Sequence, residues 1–386
     1  MNLPGEEMWR MMPAMLPGPD PIGIPAPPGL LQALLVLTYT LHTLFVGVTL
    51  GGTAIGLASA VVGRSHDELR AAPARLLGAH LSQALPVAMA FSITTGVAPL
   101  LFVQVLYGPF FYTASTFVAW SWISVVPVLI VGYYALYAWA LRRNRGPRAP
   151  AWGLAVTLGA LVWTAFALVT NMSLFPHPER YGELFNLSGT ALNLSEPTMW
   201  PRYVHAVLHL LLVGLSYVLA VAHVAARVAP EPAGRVRVAV GRALAVTVAL
   251  QAAASAWYGV ALGPVVETVP LVRTGVVVAV AGGVVMAGAW LLAERAARSR
   301  PGGPGALRWA AGAVAGTAVM AAGLAVARHG VRMDALAPYL QPEMWRVSLQ
   351  LAPLLLFALL LVAGIAFVAY LLLRYPWREG LEHLRA

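Results

Sequence analysis

The chain has 386 residues, of which 59% are hydrophobic and only 10% are charged, and its mean hydropathy is +0.74. A soluble protein could not keep that much apolar surface in water, so the composition indicates a membrane protein with several spans. The absence of cysteine excludes disulfides, thiolate metal sites, iron–sulfur clusters held by this chain and covalent attachment of haem c. Arginine alone carries the net charge of +10, and because the arginines cluster in short loops they indicate membrane topology and not nucleic-acid binding.

The chain divides into three parts, which together predict an all-α polytopic helical bundle. Residues 1–29 are rich in Pro, Gly and Met and predict an irregular extracytoplasmic arm, with a short surface helix around Met8–Met15. Residues 30–374 predict a membrane domain of nine helices, and residues 375–386 a cytoplasmic tail. No positive segment precedes an apolar one at the start, so no cleavable signal peptide is expected. The predicted spans are 30–62, 76–107, 112–142, 150–172, 201–228, 236–262, 273–294, 306–327 and 345–374.

The arginines in the loops predict the orientation. They are concentrated after segments 1, 3, 5 and 7 and in the C-terminal tail, whereas the loops after segments 2, 4 and 6 carry very few. The positive-inside rule therefore places the N-terminus outside and the C-terminus inside a bacterial or archaeal cytoplasmic membrane. The arginines on the predicted cytoplasmic side include Arg64, Arg70, Arg75, Arg142, Arg143, Arg145, Arg148, Arg227, Arg235, Arg237, Arg295, Arg298 and Arg300. The loop after segment 8, with mixed charge, is an exception.

Histidines inside the apolar segments are the strongest functional signal. Polar rings are rare at membrane depth and tend to be functional there, and imidazole is a common ligand of haem iron. On the predicted topology, four histidines form an outer layer: three lie in segments 1 and 5, and the fourth is expected in the loop just beyond segment 8. The outer layer is His42, His205, His209 and His329.

His205 and His209 are one turn apart and share one helix face, so they cannot be the two opposite ligands of one iron. Either they serve two haems, or one is a ligand and the other a hydrogen-bond partner, for example to a propionate. A hydrogen bond between helices is an equally good interpretation of each membrane histidine taken alone. For His80 and His223, near the cytoplasmic ends beside arginines, a role in which the side chain snorkels to the interface is favoured.

Several motifs resemble subunit I of the cytochrome bd quinol oxidases, in order and over nearly the whole chain. LQALLVLTYTLHTLFVGVTLG in segment 1 resembles the helix in which a haem-ligating histidine precedes FLFxPLTLG, and His42 falls on that ligand. SITTGVAPLLFVQVLYG resembles the family's ATG…FQFG helix end. YVHAV resembles FVHT, whose histidine ligates the outermost haem, and His205 falls on it. GLAVARHG resembles GWxxAExG.

The chain departs from the family where oxygen is reduced. The glutamates of the family's third helix correspond to Ala119 and Pro127, and segment 3 contains no acid. The haem-ligating glutamate of AExG is replaced by Arg328. The methionine that completes the outer haem's coordination corresponds to Gly275, and the long quinol-binding loop is reduced to GPVVETVPLVR. Without buried carboxylates to deliver protons, this chain is not expected to reduce oxygen by itself.

The resemblance implies a b-type cytochrome subunit, a membrane oxidoreductase component with one to three haems b. Electrons would pass between an extracytoplasmic partner, such as a c-type cytochrome, and the membrane or its quinone pool. A related second membrane subunit is also implied. His42 and His205 would be axial ligands, His209 and His329 the next candidates, and Arg273 and Arg328 partners of the haem propionates.

Three other hypotheses remain. A quinone could bind at a different face, making the chain a quinol dehydrogenase or oxidase subunit. His80 and His223, at similar depth on helices 2 and 5, could clamp an inner haem and complete a two-haem wire across the membrane. The chain could instead be a haem-free subunit or transporter that retains the fold, although the scarcity of intramembrane acids argues against proton-coupled transport.

Overall fold

The computed structural model describes residues 16–18, 20–63, 67–146, 149–340 and 342–374. Its described residues are 85% helical and include nine helices long and apolar enough to cross a membrane. These helices confirm the prediction of an all-α polytopic bundle. The predicted helix around Met8–Met15 and the predicted tail at 375–386 lie outside the described residues.

The nine long helices, labelled α1 to α9, replace the nine predicted segments in order. Proline stands in the first turn of α1, α6, α7 and α8, where its missing N–H leaves no intrahelical hydrogen bond unmade. Their bounds are α1 Pro28–Val62, α2 Glu68–Phe117, α3 Ala119–Arg145, α4 Trp152–Leu174, α5 Met199–Ala225, α6 Pro230–Leu262, α7 Pro270–Ser299, α8 Pro304–Leu336 and α9 Leu351–Arg374.

Several predicted helix ends differ from the observed ones, and the two largest errors, of ten and nine residues, are at the ends of α2 and α8. No loop separates segments 2 and 3 at 108–111: α2 continues to Phe117 and only kinks at Tyr107, where φ is −133° and ψ is 27°. Pro109 follows the kink, and a proline inside a helix removes a backbone hydrogen bond and bends the axis. The second error is at α8, which runs to Leu336 and not to 327, because the polar residues of its last turns remain helical.

Helices α1, α5 and α8 pack against one another and form the centre of the bundle. Helices α1 and α5 approach closely at two glycines, since a Cβ on Gly51 would lie 2.7 Å from the Cα of Gly214. Only glycine permits the two backbones to meet so closely. We call the end of the bundle that carries Leu174 and Met199 the outer end, and the end that carries Gly63 the inner end, after the orientation predicted from the arginines.

The outer end is covered by two segments of the chain. The connection between α4 and α5 contains the short helical turns Pro178–Arg180, Tyr181–Leu184 and Phe185–Leu187, and it is anchored by the buried Tyr181 hydroxyl, which donates to the carbonyl of Phe110 at 3.0 Å. The stretch before α1 pairs with the stretch before α9, because the Ile24 N–H donates to the Arg346 carbonyl at 2.9 Å. Both segments therefore close the bundle above the outer-layer histidines.

Candidate functional site

His42 is held in one orientation by α2. Its Nδ1 lies 2.9 Å from the carbonyl oxygen of Ser92, an acceptor, so Nδ1 carries the proton and Nε2 keeps a free lone pair. Gly96, one turn further along α2, makes room for the ring: a Cβ there would lie 2.7 Å from the His42 Cε1. This arrangement leaves Nε2 as the nitrogen available to a ligand, which is how metal-binding histidines are commonly oriented.

His205 and His209 lie on α5, as predicted, in different surroundings. His205 is half-buried, and its ring centroid is 5.8 Å from that of Tyr258 on α6. His209 is buried, at 5% exposure, and neither of its ring nitrogens has a hydrogen-bond partner among the described residues. A buried imidazole without partners is costly, so His209 is the residue of the pair whose structure most needs a further ligand.

The three outer-layer histidines of α1 and α5 lie at similar depth. The two helices run parallel and touch at Gly51 and Gly214, and His42 precedes Gly51 by the same number of residues as His205 precedes Gly214. The second contact of the two helices, between Gly47 and Val213, places His42 nearer the depth of His209. The ring of His42 is therefore within about one helical turn, or ~5 Å, of both α5 histidines along the bundle axis.

The prediction of a loop position for His329 is wrong. His329 lies within α8, two turns before its end, and is buried at 6% exposure. Its Nδ1 has no hydrogen-bond partner among the described residues. The motif GLAVARHG therefore continues the helix, and His329 faces the interior of the outer half and not the solvent.

Arg328 and Arg273, the two predicted partners of the haem propionates, lie in different surroundings. Arg328 reaches α1, where its guanidinium donates to the Tyr39 hydroxyl and lies 4.7 Å from the centroid of the Tyr39 ring. Tyr39 is one turn before His42, so Arg328 belongs to the His42 surroundings. Arg273 is exposed in the first turn of α7, and no hydrogen bond or ion pair in the described structure joins it to the histidines.

Arg332 was missed from the sequence, although it follows Arg328 by one turn and so shares its helix face. It is only 8% exposed, and its guanidinium lies 5.6 Å from the centroid of Phe175 and 5.8 Å from that of Tyr107. No hydrogen bond or ion pair to Arg332 is formed within the described part of the chain. Its charge is thus buried against aromatic rings.

Arg202, in the first turn of α5, completes a cluster with Arg328 and Arg332, which we call the basic cluster. Its guanidinium donates to the Tyr258 hydroxyl at 3.1 Å and to the Met172 carbonyl at 2.9 Å. Arg202 reaches the Met172 carbonyl near the end of α4, and Arg332 lies against Phe175, which follows α4, so both approach the same end of that helix. No carboxylate forms an ion pair with any of the three in the described structure.

Gly275, which the resemblance noted from the sequence aligns with a methionine ligand, faces α8. A Cβ on Gly275 would overlap the backbone of Ala327 and Gly323, because α7 and α8 are in backbone contact along this stripe. A methionine at this position could not be accommodated without moving the helices apart.

His80 and His223 at the inner end do not meet. The His80 Nε2 lies 2.7 Å from the Tyr217 hydroxyl, so this ring links α2 to α5. The His223 ring stacks on Trp290 of α7, with centroids 5.6 Å apart and an angle of 18° between the planes. Each histidine is held by a different helix, and the structure does not bring them to one iron.

The interpretation of His223 as a snorkelling residue is wrong, since its side chain is fully buried. Its Nε2 is 3.1 Å from Glu294 Oε1, and Arg237 Nε is 3.4 Å from the same oxygen. His223 Nε2, Arg237 Nε and Glu294 Oε1 are close enough for electrostatic attraction. They are not aligned for hydrogen bonds with one another or with other described residues. We call these three residues the inner cluster. Glu294 was missed because it lies among helix-end charges in the sequence.

A carboxylate at the outer surface is tied to two other segments. Glu179 accepts from His177 at 2.8 Å and from the Tyr339 hydroxyl at 2.7 Å, which joins the α4–α5 connection to the end of α8. Burial opposes ionisation of Glu179, but the hydrogen bonds from His177 and Tyr339 outweigh it and lower its pKa. Burial, and then the bond to Glu179, raises the pKa of Tyr339.

Comparison with known proteins adds no assignment. No protein-family model matches this chain, and no curated protein matches it significantly. Within the described residues, no group of three or more His, Cys, Asp or Glu side chains could hold a metal ion. A haem iron takes only one or two protein ligands, so that finding concerns sites built from protein side chains alone.

Proposed function

We propose that this chain is a membrane b-type cytochrome subunit that holds haem b in its outer half, at the level of His42, His205 and His209. The observation that carries the proposal is twofold: His209 is buried with no hydrogen-bond partner among the described residues, and the basic cluster of the same outer half forms no ion pair with a described carboxylate. A haem supplies both missing partners, because its iron binds imidazole nitrogen and its propionates are anions.

The histidines fit the role of axial ligands in different ways. His42 has its Nδ1 proton committed to Ser92, so Nε2 is free to bind iron. His209 has two unpartnered nitrogens, and a bond from either one to iron would remove part of the cost of its burial. His205 and His329 are the further candidates, and the shared face of His205 and His209 still excludes them as opposite ligands of one iron.

The basic cluster fits the propionates. A buried guanidinium without an anion costs several kcal/mol, and a carboxylate pair is its best geometric partner. Arg332 is the most buried of the three and makes no ion pair in the described structure, so it is a stronger candidate than the exposed Arg273. Arg328 and Arg202 would act beside it.

The proposed role is electron transfer and not oxygen reduction. The described helix α3 contains no acid, so no carboxylate on it can deliver protons to a bound gas. When bound, the haem supplies one-electron redox chemistry, while the chain excludes water from the iron and tunes its potential through the ligands and the arginines. We further propose an extracytoplasmic partner such as a c-type cytochrome, since this chain has no cysteine to attach haem c. The membrane partner would be the quinone pool or a second, related membrane subunit of a bacterial or archaeal cytoplasmic membrane.

A pyridine haemochrome spectrum of the purified full chain tests the proposal. We expect a b-type spectrum with at least one haem per chain, and loss of haem in His42→Ala and His209→Ala. His177→Ala, in the outer connection, is the matched control and should keep its haem, because that side chain is paired with Glu179. A chain that folds and contains no b-type haem would refute the proposal and favour a haem-free subunit.

A further inference from the structure

One side of α6 carries a cleft near the inner end that the proposed electron transfer does not use. The cleft is shallow and open, with a volume of about 390 Å³, and all of its lining residues belong to α6: Pro230, Glu231, Gly234, Arg235, Val238, Ala239 and Arg242. The two arginines are two turns apart and so lie on the same helix face. Between them, Val238 and Ala239 are exposed and form an apolar floor.

The position of Arg242 matches the boundary of the hydrocarbon core. Residues 243–262, which follow it, contain no charged side chain and rise by about 30 Å as a helix, the thickness of the apolar part of a bilayer. Arg242 is thus the last charged residue before the hydrocarbon, and Arg235 lies about 10 Å further toward the aqueous side. This interval is the depth of the phospholipid head groups.

The charges in the cleft favour an anion at Arg242. Arg235 contacts Glu231 at 3.3 Å and donates to the Leu69 carbonyl at 2.9 Å, so its charge is partly matched. Arg242 is exposed and makes no hydrogen bond or ion pair with another described residue. A cleft with one matched and one unmatched guanidinium over an apolar floor has the chemistry of a phospholipid site.

We propose that the cleft between Arg235 and Arg242 binds one anionic phospholipid of the inner leaflet. Its phosphate lies at Arg242, and the start of its acyl chains lies on Val238 and Ala239. Helix α6 thereby selects an anionic lipid over a zwitterionic one. This selection does not depend on the presence of haem.

Native mass spectrometry of the full chain in detergent, with phosphatidylglycerol added in increasing amounts, tests this inference. We expect one tightly bound lipid, and about fivefold weaker binding in Arg242→Gln, the effect of one arginine near an anionic head group. Arg308→Gln is the matched control, because Arg308 is exposed on α8 and also immediately precedes an uncharged apolar stretch, but it does not line the cleft.

A second variant tests the shape of the site. Ala239→Trp should fill the floor and weaken binding while leaving all charges in place. The inference is overturned if Arg308→Gln weakens binding as much as Arg242→Gln, if phosphatidylcholine binds as tightly as phosphatidylglycerol, or if Ala239→Trp has no effect. Inorganic phosphate should not compete at millimolar concentration, and competition would mean that the cleft binds the free ion and not a lipid.

Discussion

The two ends of the bundle bury charge in opposite ways. At the inner end, Arg237 and His223 both contact Glu294, so the inner cluster balances its charges within the chain. At the outer end, Arg332 is as buried as Arg237, with 8% exposure for each, but no carboxylate pairs with it in the described structure. The difference is one of charge and not of hydrogen bonding: the inner cluster holds a carboxylate beside its buried guanidinium, although several of its polar atoms have no hydrogen-bond partner among the described residues, whereas Arg332 has no carboxylate beside it there.

Removal of the balancing charge should have the largest effect. In Glu294→Ala, Arg237 and His223 lose their common partner, and we expect the free energy of unfolding to fall by about 2 kcal/mol, less than the usual cost of breaking a fully buried pair because the Glu294 side chain is 29% exposed. Reversible unfolding in mixed micelles measures it. Glu231→Ala, whose side chain is 83% exposed, is the control and should cost less than 1 kcal/mol. Equal effects of the two variants would mean that the inner cluster is not a buried pair.

Removal of the Arg332 charge should raise the free energy of unfolding, whereas removal of the Glu294 charge lowers it. In haem-free protein, Arg332→Leu replaces an unpaired buried guanidinium by an apolar side chain, and we expect stabilisation of about 1–2 kcal/mol. In haem-loaded protein the same variant should weaken haem retention, because a propionate loses its partner. Heme transfer to apomyoglobin and thermal unfolding of both forms measure the two effects. Arg273→Leu, at the exposed start of α7, should change neither haem retention nor thermal stability. Destabilisation of the haem-free protein by Arg332→Leu would contradict the difference in charge balance between the two ends.

Displacement of His42 should test whether its orientation matters. In Gly96→Ala the new methyl group meets the imidazole, so the ring must move and its bond to the Ser92 carbonyl weakens. We expect a loss of about 1–2 kcal/mol of stability from overpacking and a shifted Soret band of the bound haem. The matched control is Gly159→Ala on α4, where nothing lies within 4 Å of the new Cβ. An unchanged haem spectrum in Gly96→Ala would show that His42 is not a ligand.

The smallest expected effect on stability is that of Glu179 at the outer surface, and it depends on pH. Because the pKa of Glu179 is lower in the folded protein than in the unfolded chain, its ionised form stabilises the fold above the unfolded value, about pH 4.3, and this contribution disappears as the pH falls through the folded pKa. We expect Glu179→Gln to lower stability by about 0.5 kcal/mol at pH 7, since solvent screens a side chain that is 36% exposed. The difference from wild type should shrink as the pH falls below about 4.3 and vanish once the pH is below the lowered pKa of Glu179 in the folded protein. A constant difference across that range would contradict the role of the ionised carboxylate.

The histidines show how far sequence reasoning reaches. Their depth follows from the number of residues to each helix end, so the outer layer and the shared face of His205 and His209 could be predicted. The environment of each ring could not be predicted, because it depends on neighbouring helices. Ser92 and Gly96 of α2 orient His42, and Trp290 of α7 stacks on His223. The errors at His223 and His329 arose where charged residues near a helix end suggested exposure.

The sequence by itself determined the number and type of the spans, the absence of thiols, the lack of acids in α3 and the depth of His42, His205 and His209, since these depend on composition and on the fixed rise of a helix. Only the tertiary structure decided which charges are matched. Glu294 is near His223 and Arg237, and Arg332 lies against Phe175, because of how separate helices pack. Helical periodicity identifies the buried face of a helix but not the neighbour that it meets, and electrostatic balance depends on that neighbour.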